Sequence, residues 1–176
     1  MQKFLKWLEA PATSAREIFG LAGKALFLSV LWGVVMIFAT WYLVRPNFPP
    51  SASLMNATGT LMSDFTEEFF FRILWLALAV MFIGRDKIIW LILLLCAGTA
   101  VWSYDHHGAL AKIVSPSAAI LLGFSWKGIL GLIWSVVALK CATKEDLFQL
   151  KPLGICTLIH FSYNLLIVPI AGLIVS

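Results

Sequence analysis

Asp64-Phe65-Thr66-Glu67-Glu68-Phe69-Phe70-Phe71-Arg72 sets four formal charges inside a run that is otherwise as apolar as a membrane span. A charged side chain near the centre of a spanning helix costs roughly 2.5 to 3.5 kcal/mol on insertion scales, so adjacent glutamates there need a partner or a task. Glu67 and Glu68 project about 100° apart on a helix and cannot both face one cavity squarely. Glu68 and Arg72 stand at i and i+4, close enough to pair and so to neutralise two charges that neither could carry alone in lipid. Glu67 is then left to face the other way. Two glutamates at a helix start can also be plain dipole-favoured solvation, but the triple phenylalanine and the apolar run that follow weigh against it.

The composition around this stretch fixes the class. The 176 residues are 61% hydrophobic with mean hydropathy +0.92, which leaves too little polar surface to cover a water-soluble globule. The expected fold is all-α, a polytopic transmembrane bundle, because helices satisfy their own backbone hydrogen bonds where water cannot. Several of the eight tryptophans stand near the ends of apolar runs, as interfacial belts require. The net charge of +4 falls in short segments between those runs, with no basic face to follow a phosphate backbone, so nucleic acid is not an expected partner. Cys96, Cys141 and Cys156 are scattered without CxxC spacing and read as packing residues.

Residues 1–24 mix Lys3, Lys6, Arg16 and Lys24 with Phe4, Leu5, Trp7, Leu8, Ile18 and Phe19, a pattern that suits an amphipathic interfacial segment broken at Pro11. Residues 25–176 form one membrane-embedded domain of about five spans. Span 1 is Ala25 to Val44, stopped by Arg45 and three prolines. Span 2 begins near Leu54 or near Phe65 and ends at Ile83, and Gly84-Arg85-Asp86-Lys87 turns it back as a tight hairpin. Span 3 is Ile88 to Tyr104. Span 4, Ala118 to Leu139 with Ser117 as its N-cap, carries Gly123, Gly128 and Gly131 near one face, where small residues let helices approach. The segment Lys140 to Lys151 reads as polar and exposed, and span 5 runs from Pro152 to Val175 with a kink at Pro169. Lys and Arg crowd the segments on the N-terminal side, against Arg45 and Lys112 on the other, with Arg72 and Lys127 embedded. That bias puts the N-terminus inside and the C-terminus out.

Few polar side chains remain within the spans. His106 and His107 end span 3, and His160 and Asn164 share a face of span 5 at i and i+4. One outward-opening pocket can collect them with Glu67. In this order Glu67-Glu68-x-x-x-Arg72, Trp102-x-x-x-His106 and His160-x-x-x-Asn164 resemble the three-motif signature of the CAAX-protease and bacteriocin-processing family of glutamic intramembrane proteases. The glycine-rich Gly123 to Gly131 stretch matches as well, and the resemblance covers about residues 65–166. Trp102 stands where the family usually has Phe, and His106, not His107, keeps the aromatic residue four positions ahead.

The resemblance implies a metal-free and cofactor-free peptidase. In it Glu67 and His106 activate a water, His160 and Asn164 stabilise the oxyanion, and Glu68 and Arg72 give structural support. The substrate expected is a membrane-anchored protein or peptide cleaved near its C-terminus, with exported substrates favoured over prenylated ones. The setting expected is the lipid bilayer of a prokaryotic inner or plasma membrane, with the site opening outwards. Two other readings stay open at this point. One is a zinc protease using Glu67, His106 and His160, although there is no HExxH. The other is a non-enzymatic transporter or immunity protein that uses the same polar cluster to bind a proton or ligand.

Overall fold

A computed structural model of the chain describes residues 2–44, 57–84, 87–106, 111, 115–146 and 148–175. The expected proline break at Arg45 to Pro50, the hairpin residues Arg85 and Asp86, and also His107 and Lys112 lie outside the described residues. The elements in order are α1 (Gln2–Glu9), α2 (Ala15–Val44), α3 (Ala57–Glu68), a π-helical turn (Phe69–Ile73), α4 (Leu74–Phe82) and α5 (Ile88–Asp105). Then come α6 (Pro116–Gly123), a second π turn (Phe124–Gly128), α7 (Ile129–Cys141) and α8 (Leu150–Val175). The chain is a helical membrane bundle. Four of its helices are long and apolar enough to cross a bilayer: Ala15–Tyr42, Ile88–Asp105, Pro116–Cys141 and Leu150–Ala171. The continuous rod α3–π–α4 carries the clustered charges and is the bundle's fifth member, packed on α5 and α8.

The bundle has an apolar exterior as well as an apolar core, and its buried polar residues cluster. Large apolar side chains such as Phe27, Phe38, Phe70, Phe82, Trp90, Leu121 and Leu165 face outwards. The buried polar residues Ser29, Asp64, Glu68, Arg72, Thr99, Ser103, Ser135 and His160 face in. Lipid supplies no hydrogen bonds, so polar groups gain by turning towards one another.

Several boundaries differ from the sequence reading, each for a local reason. Residues 15–24 belong to the same helix as span 1, so the N-terminal segment contributes only α1 as a separate piece. That piece docks on the bundle: Leu8 joins the core beside Leu91, Leu95 and Leu139. Lys140, expected in an exposed segment, is buried, because its ammonium donates to the carbonyls of Trp7, at 2.8 Å, and of Ala10, and lies 4.6 Å from the centroid of the Trp7 ring. Gln149 is buried too, and Asp146 accepts the backbone N–H groups of Leu150 and Lys151, both at 2.9 Å, starting α8 two residues before Pro152. Ser115, not Ser117, caps α6, its hydroxyl accepting from Ala118 N with Pro116 in the first turn. Gly84, with φ of 91°, ends α4 in the left-handed conformation, its N–H reaching Ala79 O at 3.1 Å.

Both π turns lie at close contacts between helices. A π turn replaces the i→i+4 pattern by i→i+5, as in Leu74 N to Phe69 O, and leaves a carbonyl without its usual helical donor. At the first turn the backbone of Phe71 presses on α5 at Gly98, where a Cβ would stand 2.2 Å from Phe71 O. At the second, Trp32 Nε1 of α2 donates to Ser125 O at 3.0 Å. Gly131 meets Thr99 in the same tight way, as the glycine pattern of span 4 leads one to expect. Gly98→Ala should therefore unfold several degrees below wild type in detergent, since forcing a methylene into a filled contact costs about 1–3 kcal/mol. Gly23→Ala, with no heavy atom within 4 Å of its would-be Cβ, should be neutral or slightly stabilised. Differential scanning fluorimetry on both variants checks this, and equal melting would contradict the backbone contact.

Candidate active site

Asp64, Glu67 and Glu68 stand on the last turn of α3 and Arg72 in the π turn that follows. Across from them lie Trp102 and His106 at the end of α5, Lys127 in the second π turn, Trp134 and Ser135 on α7, and His160 and Asn164 on α8. The separation of Glu67 from Glu68 expected from helix geometry is observed, and each leads into one half of a continuous cluster.

The sealed half is built on the Glu68–Arg72 pair. Glu68 Oε2 accepts from Arg72 NH1, and the two side chains are 1% and 2% exposed, so the ions are held almost wholly out of solvent. Arg72 is further enclosed. Its Nε donates to Ser135 Oγ at 3.3 Å, and its guanidinium carbon lies 5.6 Å from the ring centroids of both Trp102 and Trp134. The second Glu68 oxygen, Oε1, is 3.0 Å from His160 Nδ1. An ionised carboxylate only accepts, so His160 carries a proton on Nδ1. Its other nitrogen, Nε2, is 3.5 Å from Asp64 Oδ1, and Asn164 Nδ2 donates to that same oxygen at 2.9 Å. His160 thus spans two carboxylates one helical turn apart, with its ring 4.4 Å from that of Trp134.

The open half holds Glu67 and His106, which are 24% and 26% exposed. His106 Nδ1 is 2.9 Å from Trp102 O; a carbonyl can only accept, so Nδ1 carries a proton and Nε2 is the nitrogen left for other partners. That Nε2 faces Glu67 Oε2 at 3.7 Å. Glu67 is itself held from both sides, by Trp102 Nε1 at 2.7 Å and by Ser63 Oγ at 3.3 Å. A carboxylate beside an imidazole nitrogen, both partly exposed, can bind a water and take its proton when that nitrogen is unprotonated. Lys127 is half-buried, its ammonium 5.2 Å from the Trp102 ring centroid and within electrostatic reach of Glu67 and Asp64.

Trp102 joins the halves, its ring centroid 5.1 Å from that of His106 and 5.7 Å from that of His160. The structure therefore gathers Glu67, Glu68, Arg72, His106, His160 and Asn164 in one cluster. It pairs them differently from a single pocket around Glu67, because His160 and Asn164 answer to Glu68 and Asp64. Among the described residues no group of three His, Cys, Asp or Glu is arranged as a ligand set for a metal ion. Asp64, Ser135 and Trp134 are the members that sequence reasoning passed over. Asp64 carried a usable signal: it stands at i−4 from Glu68, on the face that meets α8.

No family model, curated protein or solved structure matches this chain.

The two halves of the cluster should respond differently to substitution. Arg72→Met leaves Glu68 as an unpaired buried charge and should cost about 3–5 kcal/mol, enough to deplete folded protein in detergent. Glu67→Gln, at a partly exposed position that keeps an acceptor for Trp102, should melt close to wild type. Chemical or thermal unfolding of the two variants side by side checks the assignment of roles.

Proposed function

We propose that this chain is an intramembrane endopeptidase of the glutamic type, which cleaves a membrane-anchored protein or peptide near its C-terminus. The observation that carries the reading is the Glu67–His106 pair: a carboxylate and an imidazole Nε2 3.7 Å apart, partly exposed, within a membrane bundle. The reading is also supported by the three motif pairs, Glu67-Glu68 with Arg72, Trp102 with His106 and His160 with Asn164, meeting in one cluster.

In the proposed reaction Glu67 takes a proton from a water held between it and His106. The resulting hydroxide adds to the scissile carbonyl carbon, and the carbonyl oxygen gains the charge. Asn164 Nδ2–H donates to that oxygen, as does His160 Nε2 when it holds the proton that lies between it and Asp64, and collapse expels the amine, which receives the proton from Glu67. Glu68 and Arg72 touch no reacting atom. They hold α3 and α8 at the spacing this chemistry needs. The charge bias of the loops favours a site that opens to the outer face of a prokaryotic inner or plasma membrane. An exported, membrane-anchored substrate suits that orientation better than a prenylated one.

Reconstituted protein in liposomes, offered internally quenched peptides with a C-terminal apolar anchor, tests the proposal. Glu67→Ala should abolish cleavage while the protein keeps its helicity and elution volume. Asn164→Ala should lower kcat by about 10²–10³-fold, the usual effect of removing one oxyanion donor. A strong chelator should leave the rate unchanged. Full activity in Glu67→Ala would refute a glutamate mechanism, and loss with the chelator that zinc restores would favour the metal reading.

A further inference from the structure

Asp64 is buried, at 2% exposure, among groups that do not satisfy it. Its Oδ1 is the point on which Asn164 Nδ2, at 2.9 Å, and His160 Nε2, at 3.5 Å, converge. Its Oδ2 is equally buried and has no hydrogen-bond partner among the described residues. Arg72 is committed to Glu68 and Ser135, and Lys127 stands over Trp102, near enough to attract Asp64 through space but not hydrogen-bonded to it. A carboxylate kept only for stability would be expected to satisfy both oxygens, since an orphaned buried acceptor costs about 1–3 kcal/mol. One oxygen of Asp64 instead marks a spot where two side chains from α8 meet, a helical turn from the Glu67 carboxylate. Because Glu68 accepts the proton on His160 Nδ1, His160 Nε2 and Asp64 Oδ1 attract only with a further proton between them.

We propose that Asp64 is a positioning residue that occupies, in the ligand-free protein, the place of the scissile carbonyl oxygen. Its Oδ1 keeps the Asn164 amide and the Nε2 edge of His160 aimed at one point, and substrate takes over that point as Asp64 swings out. This rests on the proteolytic reading for its meaning, but the occupancy itself is a property of the resting protein. Preorganised donors cost no reorganisation at the moment of reaction, which is why an internal stand-in is useful. It follows that removing the Asp64 side chain leaves a hollow lined by the Asn164 amide donor and the Nε2 edge of His160, with no acceptor, shaped for a small carboxylate.

The test uses the full chain in detergent or liposomes, with sodium acetate as the probe and sodium chloride at equal ionic strength as the control. Asp64→Ala should lose about 10- to 100-fold in kcat with KM changed less than about threefold, because the donors lose their aim and the substrate's anchoring is untouched. Millimolar acetate should inhibit the remaining activity of Asp64→Ala and leave wild type unaffected. Independently of any cleavage, the ring ¹⁵N resonances of His160, assigned with His160→Gln, should shift in Asp64→Ala and return towards wild type on adding acetate. Asp64→Asn keeps an acceptor oxygen in place; it should retain kcat within about tenfold and exclude acetate, and it serves where Asp64→Ala does not fold. Unchanged resonances in Asp64→Ala, or no response to acetate in that folded variant, would overturn the proposal. So would a dead but folded Asp64→Asn, which would make the charge rather than the acceptor the essential feature. If wild type cleaves no peptide but the acetate response is seen, the occupancy stands and the proteolytic reading fails.

Discussion

Everything in this bundle is arranged around one costly object, the Glu68–Arg72 ion pair held almost wholly out of solvent. Two ions in a low-dielectric interior are stable only if their geometry is good and their remaining hydrogen-bonding capacity is met. Here that capacity is met from three other helices: Ser135 and the Trp134 ring on α7, the Trp102 ring on α5, and His160 on α8. A shift of any of these helices strands a charge. The pair therefore acts as a registration mark for the bundle, a stronger constraint than apolar packing, which in lipid has no hydrophobic driving force to specify partners.

The π turns answer the question that the pair raises, which is how a helix with adjacent acids can serve two directions. A strict α-helix would carry the apolar face of α4 off line with that of α3 after the charged segment. The extra residue in Phe69–Ile73 lets α4 resume with Leu76, Ala79 and Val80 facing the core while α3 keeps Asp64 and Glu68 facing α8. The bulged backbone then needs room, and Gly98 provides it. The second π turn does the same for α6 and α7: it sets Lys127 over Trp102 and hands its free Ser125 carbonyl to Trp32.

How much of this was legible in the chain follows from the range of each interaction. The i,i+4 spacing of Glu68 and Arg72 predicts their pairing, and the 100° step to Glu67 predicts that the two glutamates separate. Both are local in one helix, and both are observed. Which helix lies opposite is not local. His160 and Asn164 share a face by spacing, but nothing in that spacing says that the face meets Asp64 and Glu68 instead of Glu67. The same reason hid Trp134 Nε1 on Ser29 Oγ, at 2.8 Å, and Trp126 Nε1 on Tyr163 OH, at 2.9 Å: indole donors find hydroxyls across helices without any periodic trace. Lys140 misled for a different reason, since polar composition marks exposure only when no backbone carbonyls wait nearby. Trp7 in α1 and Ala10 just after it present two that do.

Trp102 ties the chemistry to the scaffold. Phenylalanine at this position could pack against both imidazoles, but it has no N–H to offer Glu67 Oε2, which the indole meets at 2.7 Å. The same ring closes over the guanidinium of Arg72 and borders the ammonium of Lys127. One face of the cluster thus stays dry around Glu68, Arg72 and His160, while its edge fixes a carboxylate that solvent can reach. The proposed water chemistry would need that division, because a pair such as Glu68–Arg72 weakens if hydrated and a pair such as Glu67–His106 would be idle if it were not. A single large donor side chain at the boundary meets both demands, and a purely apolar ring would meet only the first.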